Sequence, residues 1–177
     1  GQSTNDTIPT AIRLAALAKL PRLMQAVEAM AAAFAALAKQ EAKTVKSGRT
    51  HLQDAVPTTL GREFAAYAFT LRRCNAQLAA TRALLCDIGL GGSAAGTGLN
   101  TAPGYVERAA AELARLTGEP IKPAADLSAQ MQSMGDLQQL SNAIRALALE
   151  VTRIANDMRL LASGPRTGFA EITLPAV

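Results

Sequence analysis

Two short polar stretches contain the side chains of this sequence that could do chemistry. The first is Ser3-Thr4-Asn5-Asp6, which lies just before Pro9 and the first apolar repeat. Residues of these types accept hydrogen bonds from the free amides at the start of a helix, so one interpretation is an N-cap. Two hydroxyls and an amide at the positive end of a helix would also suit a carboxylate ligand. The spacing favours the cap and leaves the ligand site open.

The second stretch contains His51, the only histidine of the chain, which follows Arg49 and Thr50. A single histidine excludes a metal site built from several histidine ligands. Imidazole is the side chain whose ordinary pKa lies closest to neutral pH. Thr50 and His51 could therefore bind a carboxylate and move a proton, and a purely structural histidine is an equally open interpretation.

A glycine-rich segment, residues 89–98, has the composition of a phosphate-binding loop but not its pattern. It lacks the Gly-Lys-Ser/Thr ending, and it follows a predicted helix rather than a strand. We interpret it as a backbone that turns tightly beside a site. The acidic residues show no paired arrangement of the kind used for acid–base catalysis.

Long helices are predicted to position these stretches. Apolar residues recur about every 3.5 residues, the spacing of coiled-coil-like packing, over positions 12–37, 60–88 and 137–161. Pro21 should kink the first of these segments or begin a second helix there. A shorter helix is expected over about 105–116, whereas residues 47–57, 89–104 and 121–125 are expected to be loops. The predicted fold class is all-α, a bundle of long helices.

The composition excludes several classes of protein. A chain that is 49% hydrophobic and 18% charged is not a disordered tail, and 3% aromatic residues are few for a β-sandwich. The net charge of +4 comes from scattered Lys and Arg, so we expect no nucleic-acid partner and favour a small anionic ligand.

We also expect no membrane span and no signal peptide, because the sequence has no uncharged apolar run of 18 residues and no basic segment before an apolar one. Cys74 and Cys86 are too few for a disulfide framework and indicate a reduced, cytoplasmic protein. Alanines on several faces of the predicted helices allow close approach of other helices. The sequence therefore predicts self-association, since large apolar patches usually mark interfaces.

Four stretches, taken in order, resemble the aspartase/fumarase superfamily: residues 2–10, 48–57, 91–100 and 154–175. The motifs Ser-Thr-Asn-Asp and Thr-His-Leu-Gln-Asp-Ala are similar to those of aspartases and class II fumarases. Leu160 stands where fumarases more often have Trp, and residues 126–130 lack the His-Asp-Ala motif of fumarases. The resemblance therefore favours aspartate ammonia-lyase over class II fumarate hydratase.

The resemblance implies reversible anti-elimination of ammonia from L-aspartate to give fumarate, or the malate/fumarate reaction in the alternative case. By the same resemblance Ser3, Thr4, Asn5 and Thr50 bind substrate, and His51 contacts the substrate and assists proton transfer. It implies no metal and no organic cofactor. It also implies a homotetramer in which each active site is shared by three chains.

Two parts of the family pattern are not among these 177 residues. The loop Gly-Ser-Ser-Ile-Met-Pro, which carries the catalytic serine, is expected after Val177, and an N-terminal domain is expected before Gly1. We therefore expect residues 1–177 to be the central helical-bundle domain of a longer lyase, without the N-terminal domain, the serine loop and the C-terminal domain, and inactive alone. A non-catalytic helical assembly domain, with Ser3–Asp6 as a cap and His51 as structure, is the remaining alternative.

Overall fold

The computed structural model describes residues 2–176, most of which lie in helices. The described helices are α1 (Thr4–Gln40), α2 (Leu60–Leu84), α3 (Tyr105–Thr117), α4 (Leu127–Gln132) and α5 (Gly135–Leu161). The strands are β1 (Val45–Thr50), β2 (Gln53–Thr59), β3 (Asp87–Ile88) and β4 (Lys122–Pro123). β1 and β2 form an antiparallel hairpin, and β3 and β4 form a short parallel pair. The predicted all-α class, with long helices, is confirmed.

The hairpin corrects the prediction that residues 47–57 are a loop. β1 and β2 pair from Val45 with Thr59 to Thr50 with Gln53, and the register shifts after Gly48. Sequence reasoning missed these strands because the stretch is mostly polar and exposed, so no alternation of apolar residues marks it. The predicted loop 121–125 likewise contains β4, which pairs with β3.

Pro21 does not end α1 or begin a second helix there, so that part of the expectation is wrong. A proline inside a helix removes one backbone hydrogen bond and crowds the preceding turn. Here the ring is exposed, and Leu17 and Leu20 in the preceding turn are 1% and 3% exposed. We attribute the continuity of α1 to this packing, which holds the helix in place despite the missing hydrogen bond.

The described chain divides into two compact units, and α1, α2 and α5 contribute residues to both. The first unit contains residues 2–26 and 76–143, and the second contains 27–75 and 144–176. Large buried side chains of the first unit are Leu17, Leu20, Leu78, Leu85, Ile88 and Leu140; those of the second are Val27, Leu60, Phe64, Leu71, Leu147 and Ile154. In the second unit the rings of Phe34 and Tyr67 meet edge to face, with centroids 5.5 Å apart.

The predicted apolar stripe over 60–88 is confirmed, because each of its residues is buried. The stripe predicted for the start of α1 is partly wrong. Ile12 is 44% exposed, whereas Asp6, Thr10, Arg13 and Leu17, alternately four and three residues apart, are buried together with Pro9. The charged side chains of Asp6 and Arg13 can occupy this buried face because segments distant in the sequence form hydrogen bonds with them.

α1 contains an 18-residue window with a mean hydropathy of 1.2, of which 17% is buried. Length and composition alone would allow such a helix to cross a membrane, but one helix of this kind is weak evidence for a span. The expectation that the chain has no membrane span stays a prediction. The window does establish that much of the apolar surface of α1 is uncovered within one chain.

Candidate active site

The start of α1 is built as a capping box. The hydroxyl of Ser3 accepts the backbone N–H of Asn5 at 3.2 Å, and Oδ1 of Asp6 accepts the backbone N–H of Ser3 at 3.1 Å. Each of the two side chains thus satisfies an amide that the helix leaves free. The cap interpretation is confirmed for Ser3, and the neighbouring Thr4 and Asn5 remain exposed for other contacts.

The other carboxylate oxygen of Asp6 holds the glycine-rich segment. Oδ2 accepts the backbone N–H groups of Gly91 and Ser93, each at 3.0 Å, and the whole side chain is buried. Gly91 and Ser93 have φ values of 97° and 63°, so the backbone turns tightly at both places. Asn5 adds a second attachment, because its Nδ2 donates to the carbonyl of Ala94 at 2.8 Å.

A cleft of about 470 Å³ opens between these attached segments. Its three walls come from the start of α1, the glycine-rich segment and α4, and its lining residues are Thr4, Asn5, Ile8, Pro9, Ala94, Ala95, Ser128, Met131 and Gln132. Ser128 of α4 donates through its hydroxyl to the carbonyl of Ala95 at 2.9 Å. A Cβ at Gly96 would lie 2.0 Å from that hydroxyl oxygen, so the close approach of the segment to α4 requires glycine.

The polar groups in this cleft suit a carboxylate. Thr4 offers a hydroxyl, and Asn5 offers its remaining amide N–H, both at the end of α1 where the helix dipole is positive. Ile8, Pro9 and Met131 form apolar parts of the same walls. A small anion bound here would thus meet neutral donors, and hydrogen bonds to a charged acceptor are the stronger kind.

A buried ion pair between α1 and the start of α5 holds the part of α1 that forms a wall of the cleft. Arg13 is fully buried, and its Nε and Nη2 donate to the two carboxylate oxygens of Asp136 at 2.6 and 3.0 Å. Its Nη1 and Nη2 also donate to the carbonyls of Pro9 and Ser133 at 3.2 and 2.9 Å. The pair thus joins α1 to the start of α5. Gln130 of α4 donates to Asp136 as well, at 3.2 Å.

Thr50 and His51 lie at the tip of the β1–β2 hairpin, in the second unit. His51 and Leu52 form its two-residue turn, with φ values of 50° and 60°. Positive φ at both positions fits a type I′ turn, which matches the twist of the flanking strands but is ordinarily made by Asn-Gly. A bulky leucine in this region is strained, and both side chains are exposed. Strain retained at an exposed tip is typical of functional positions.

A cluster of charges holds β1 along its length, from Lys46 near its start to Arg49 beside the turn. Arg49 donates to Glu171, and its guanidinium lies 3.8 Å above the centre of the Phe169 ring. Lys46 lies 3.0 Å from Glu171 and 2.7 Å from Glu63. Burial alone would raise the pKa of Glu171, but hydrogen bonds and charge from Arg49 and Lys46 outweigh it, so the net pKa lies below its ordinary value.

The sequence-predicted site residues therefore fall into two groups. Thr4 and Asn5 line the first-unit cleft, with Ser3 directly before them in the sequence, whereas Thr50 and His51 lie together at the hairpin tip of the second unit. Their roles toward substrate stay predictions. Sequence reasoning placed Asp6 only in the polar stretch Ser3–Asp6 and did not single out Arg13, although extending the buried spacing of α1 back from Leu17 reaches both positions.

Two further observations concern metals and thiols. Among residues 2–176 the structure contains no group of three or more His, Cys, Asp or Glu side chains placed to hold a metal ion. Cys74 and Cys86 are free and buried. Burial raises the pKa of both thiols above the ordinary value, so neither has the character of an activated nucleophile.

Comparison with known proteins identifies a family that this chain matches along its whole length. A family model described as "Lyase" matches residues 1–177. Aspartate ammonia-lyase of Pseudomonas aeruginosa is 47% identical over 98% of this chain and 37% of its own length. Class II fumarate hydratase of Ralstonia nicotianae is 45% identical over 98% of this chain and 38% of its own length.

The fold has a close counterpart among solved structures. The cobalt-bound crystal structure of fumarate lyase:delta crystallin from Brucella melitensis superposes with a TM-score of 0.97 at 45% identity, over 99% of this chain and 38% of that chain. The present chain thus spans less than two fifths of the length of each of these three relatives. With a family match along its whole length and relatives of this similarity, the chain belongs to the aspartase/fumarase superfamily of lyases.

Proposed function

We propose that the protein containing this chain is an ammonia-lyase that converts L-aspartate reversibly to fumarate and ammonia. The observation that carries the proposal is the first-unit cleft, where Thr4 and Asn5 present neutral donors at the positive end of α1. The carboxylate of a small dicarboxylate fits this set of groups. The names of the relatives, aspartate ammonia-lyase and class II fumarate hydratase, support the same substrate class.

In the proposed reaction a base removes a proton from Cβ of L-aspartate. The electron pair of that C–H bond moves into the adjacent carboxylate and gives an aci-carboxylate with an additional negative charge. The pair then returns to form the C=C bond of fumarate as the C–N bond breaks, and the protonated amino group leaves as NH3 with the electron pair of that bond. Donors fixed in place before the reaction stabilise the intermediate more than the substrate, and this difference accelerates the reaction. Ser3, Thr4 and Asn5 are the proposed donors of this chain.

We assign Thr50 to substrate binding and His51 to substrate contact and proton transfer. The exposed hairpin tip supports this assignment, because it leaves both side chains free to enter a site formed with other chains. The serine base of the family is absent from these 177 residues. We therefore propose that residues 1–177 alone bind substrate at best and do not turn it over.

We further propose a cytoplasmic homotetramer in which several chains complete each site. The support is apolar surface that one chain leaves uncovered, which includes the alanine-rich face of α1. Large exposed apolar side chains of the long helices are Ile12, Met30, Leu37, Phe69, Ile144 and Leu149. Apolar surface left uncovered on long helices is typical of subunit interfaces.

We favour elimination of ammonia over hydration of fumarate because of one residue and one short stretch of the sequence. Leu160 stands where Trp is more frequent in fumarases, and Asp126–Gln130 lacks the His-Asp-Ala motif of fumarases. Residues 126–130 matter because Ser128 of α4 forms part of one wall of the cleft, whereas Leu160 lies in α5. Class II fumarate hydratase is the second candidate, supported by relatives of nearly equal identity.

The test is calorimetric titration of the full-length protein with L-aspartate, fumarate and malate, together with assays of ammonia release and of malate formation from fumarate. We expect binding of the dicarboxylates and release of ammonia from L-aspartate. Asn5→Ala should lower kcat/KM, whereas Asn142→Ala, an exposed amide on α5 that accepts from Gln138, should not. Formation of malate without ammonia release would assign a fumarase, and no binding and no reaction would favour a non-catalytic assembly domain.

A further inference from the structure

We propose that Asp6 is a positioning residue of the active site, which holds two walls of the substrate cleft together without touching the substrate. The inference rests on the proposed function of that cleft. Asp6 is fully buried and is not among the residues that line the cleft. Its carboxylate nevertheless accepts hydrogen bonds from both walls: from Ser3 at the start of α1, and from Gly91 and Ser93 of the glycine-rich segment.

Three backbone N–H groups around one buried carboxylate form a specific acceptor site. Backbone amides cannot reorient without moving the chain, so their directions fix the backbone of residues 91–93 relative to the first turn of α1. A buried carboxylate is costly unless it is hydrogen-bonded, and hydrogen bonds to a charged acceptor are the stronger kind. The geometry of the segment therefore depends on the charge of Asp6 and not merely on its volume.

The consequence for the site passes through Asn5. Asn5 precedes Asp6 on the same turn, and its Nδ2 donates to Ala94, one residue beyond Ser93. This contact orients the amide, so that the remaining N–H and the carbonyl oxygen of Asn5 point in defined directions in the cleft. If residues 91–93 shift, Ala94 shifts with them, and the amide of Asn5 loses the hydrogen bond that orients it. Ser128 holds the far side of the same segment through Ala95.

Asp6→Asn is the sharpest perturbation, since it keeps the shape but replaces one accepting oxygen with an N–H donor that faces amide donors. Displacement of a binding group by about 1 Å can cost roughly 10²-fold in rate. We expect kcat/KM of the full-length protein to fall about 10- to 100-fold. Glu112→Gln on α3 is the matched control: the charge change is the same, the exposed side chain keeps an oxygen that can accept from Arg115, and kcat/KM should stay within about twofold.

Two readouts separate positioning from general damage to the fold. Amide hydrogen exchange should accelerate in residues 89–98 of the Asp6→Asn protein and stay unchanged in the hairpin, residues 45–59. The double variant Asn5→Ala/Asp6→Asn should be no worse than the poorer single variant, because residues that act through one another are not additive. If Asp6→Asn does not fold, Ser128→Ala, which loosens the same segment from α4, should accelerate exchange in residues 89–98 and lower kcat/KM more mildly.

The outcomes distinguish this inference from the proposed function. If the unaltered protein neither binds nor converts L-aspartate, fumarate or malate, the proposed function fails and the inference fails with it. If the unaltered protein is active while Asp6→Asn retains normal kcat/KM, or normal exchange in residues 89–98, the function stands and the inference is overturned. Additive effects in the double variant would also overturn it, because they would show that Asp6 acts independently of Asn5.

Discussion

Removal of Asp136 should be among the most destabilising single changes in this chain. Arg13 is fully buried, and the side chain of Asp136 is 11% exposed. Asp136→Ala removes the charged acceptor of Nε and Nη2 and leaves the guanidinium with the uncharged carbonyls of Pro9 and Ser133. Breaking a buried pair by deleting one partner costs about 3–5 kcal/mol, because a buried charge stays behind uncompensated. We expect a loss of that size in the free energy of unfolding.

Urea unfolding of the full-length protein, followed by circular dichroism, measures the change through the midpoint and slope of the transition. The double variant Arg13→Met/Asp136→Leu should be less destabilised than Asp136→Ala, since it leaves neither charge buried alone. Arg115→Ala is the matched control: Arg115 and Glu112 form an exposed pair on α3, and its loss should leave the urea midpoint close to that of the unaltered protein. An Asp136→Ala protein within about 1 kcal/mol of the unaltered one would refute this reasoning.

Three further changes test other parts of the structure. His51→Ala should lower turnover of the full-length enzyme by about 10²-fold with unchanged helicity, and near-normal turnover would return His51 to a structural role. Gly61→Ala should destabilise by about 1–3 kcal/mol or more in urea unfolding, because its Cβ would lie 2.4 Å from the carbonyl oxygen of Ala38, whereas Gly135→Ala, with 3.4 Å to its nearest neighbour, should be tolerated. Glu171 has a lowered pKa, so its contribution to stability is present above its ordinary pKa of 4.5 and lost as pH falls through the folded value. The stability difference between unaltered and Glu171→Gln proteins should therefore shrink below pH 4.5, and a difference that grows there would contradict the assignment.

The spacing of apolar residues in the sequence predicts much of the helical fold. The repeat over 60–88 predicts one face of α2 and the turn beyond it, and every residue of that repeat is buried. Such a pattern is readable because side chains three and four residues apart share a helix face wherever the helix packs. The short helix expected over about 105–116 is likewise present as α3. These features depend on neighbours in the sequence.

The polar core could not be read in the same way. In the sequence Asp6 belongs to a polar cap and Arg13 is a charge on a helix. Their burial depends on hydrogen bonds with Gly91 and Asp136, which lie 85 and 123 residues away in the sequence. No local signal indicates that such partners meet. Periodicity of apolar residues therefore placed the start of the stripe at Ile12, one position away from the buried face.

The candidate site shows the same division. The sequence itself determined which residues could bind a dicarboxylate, because hydroxyl, amide and imidazole groups are properties of Thr4, Asn5 and His51 wherever they lie. The folded chain determined how they are held: a carboxylate fastens the glycine-rich segment beside Asn5, and a strained turn presents His51 at a hairpin tip. The physical reason is that side-chain chemistry is local, whereas the directions of hydrogen bonds and the strain of a turn arise from contacts between distant segments.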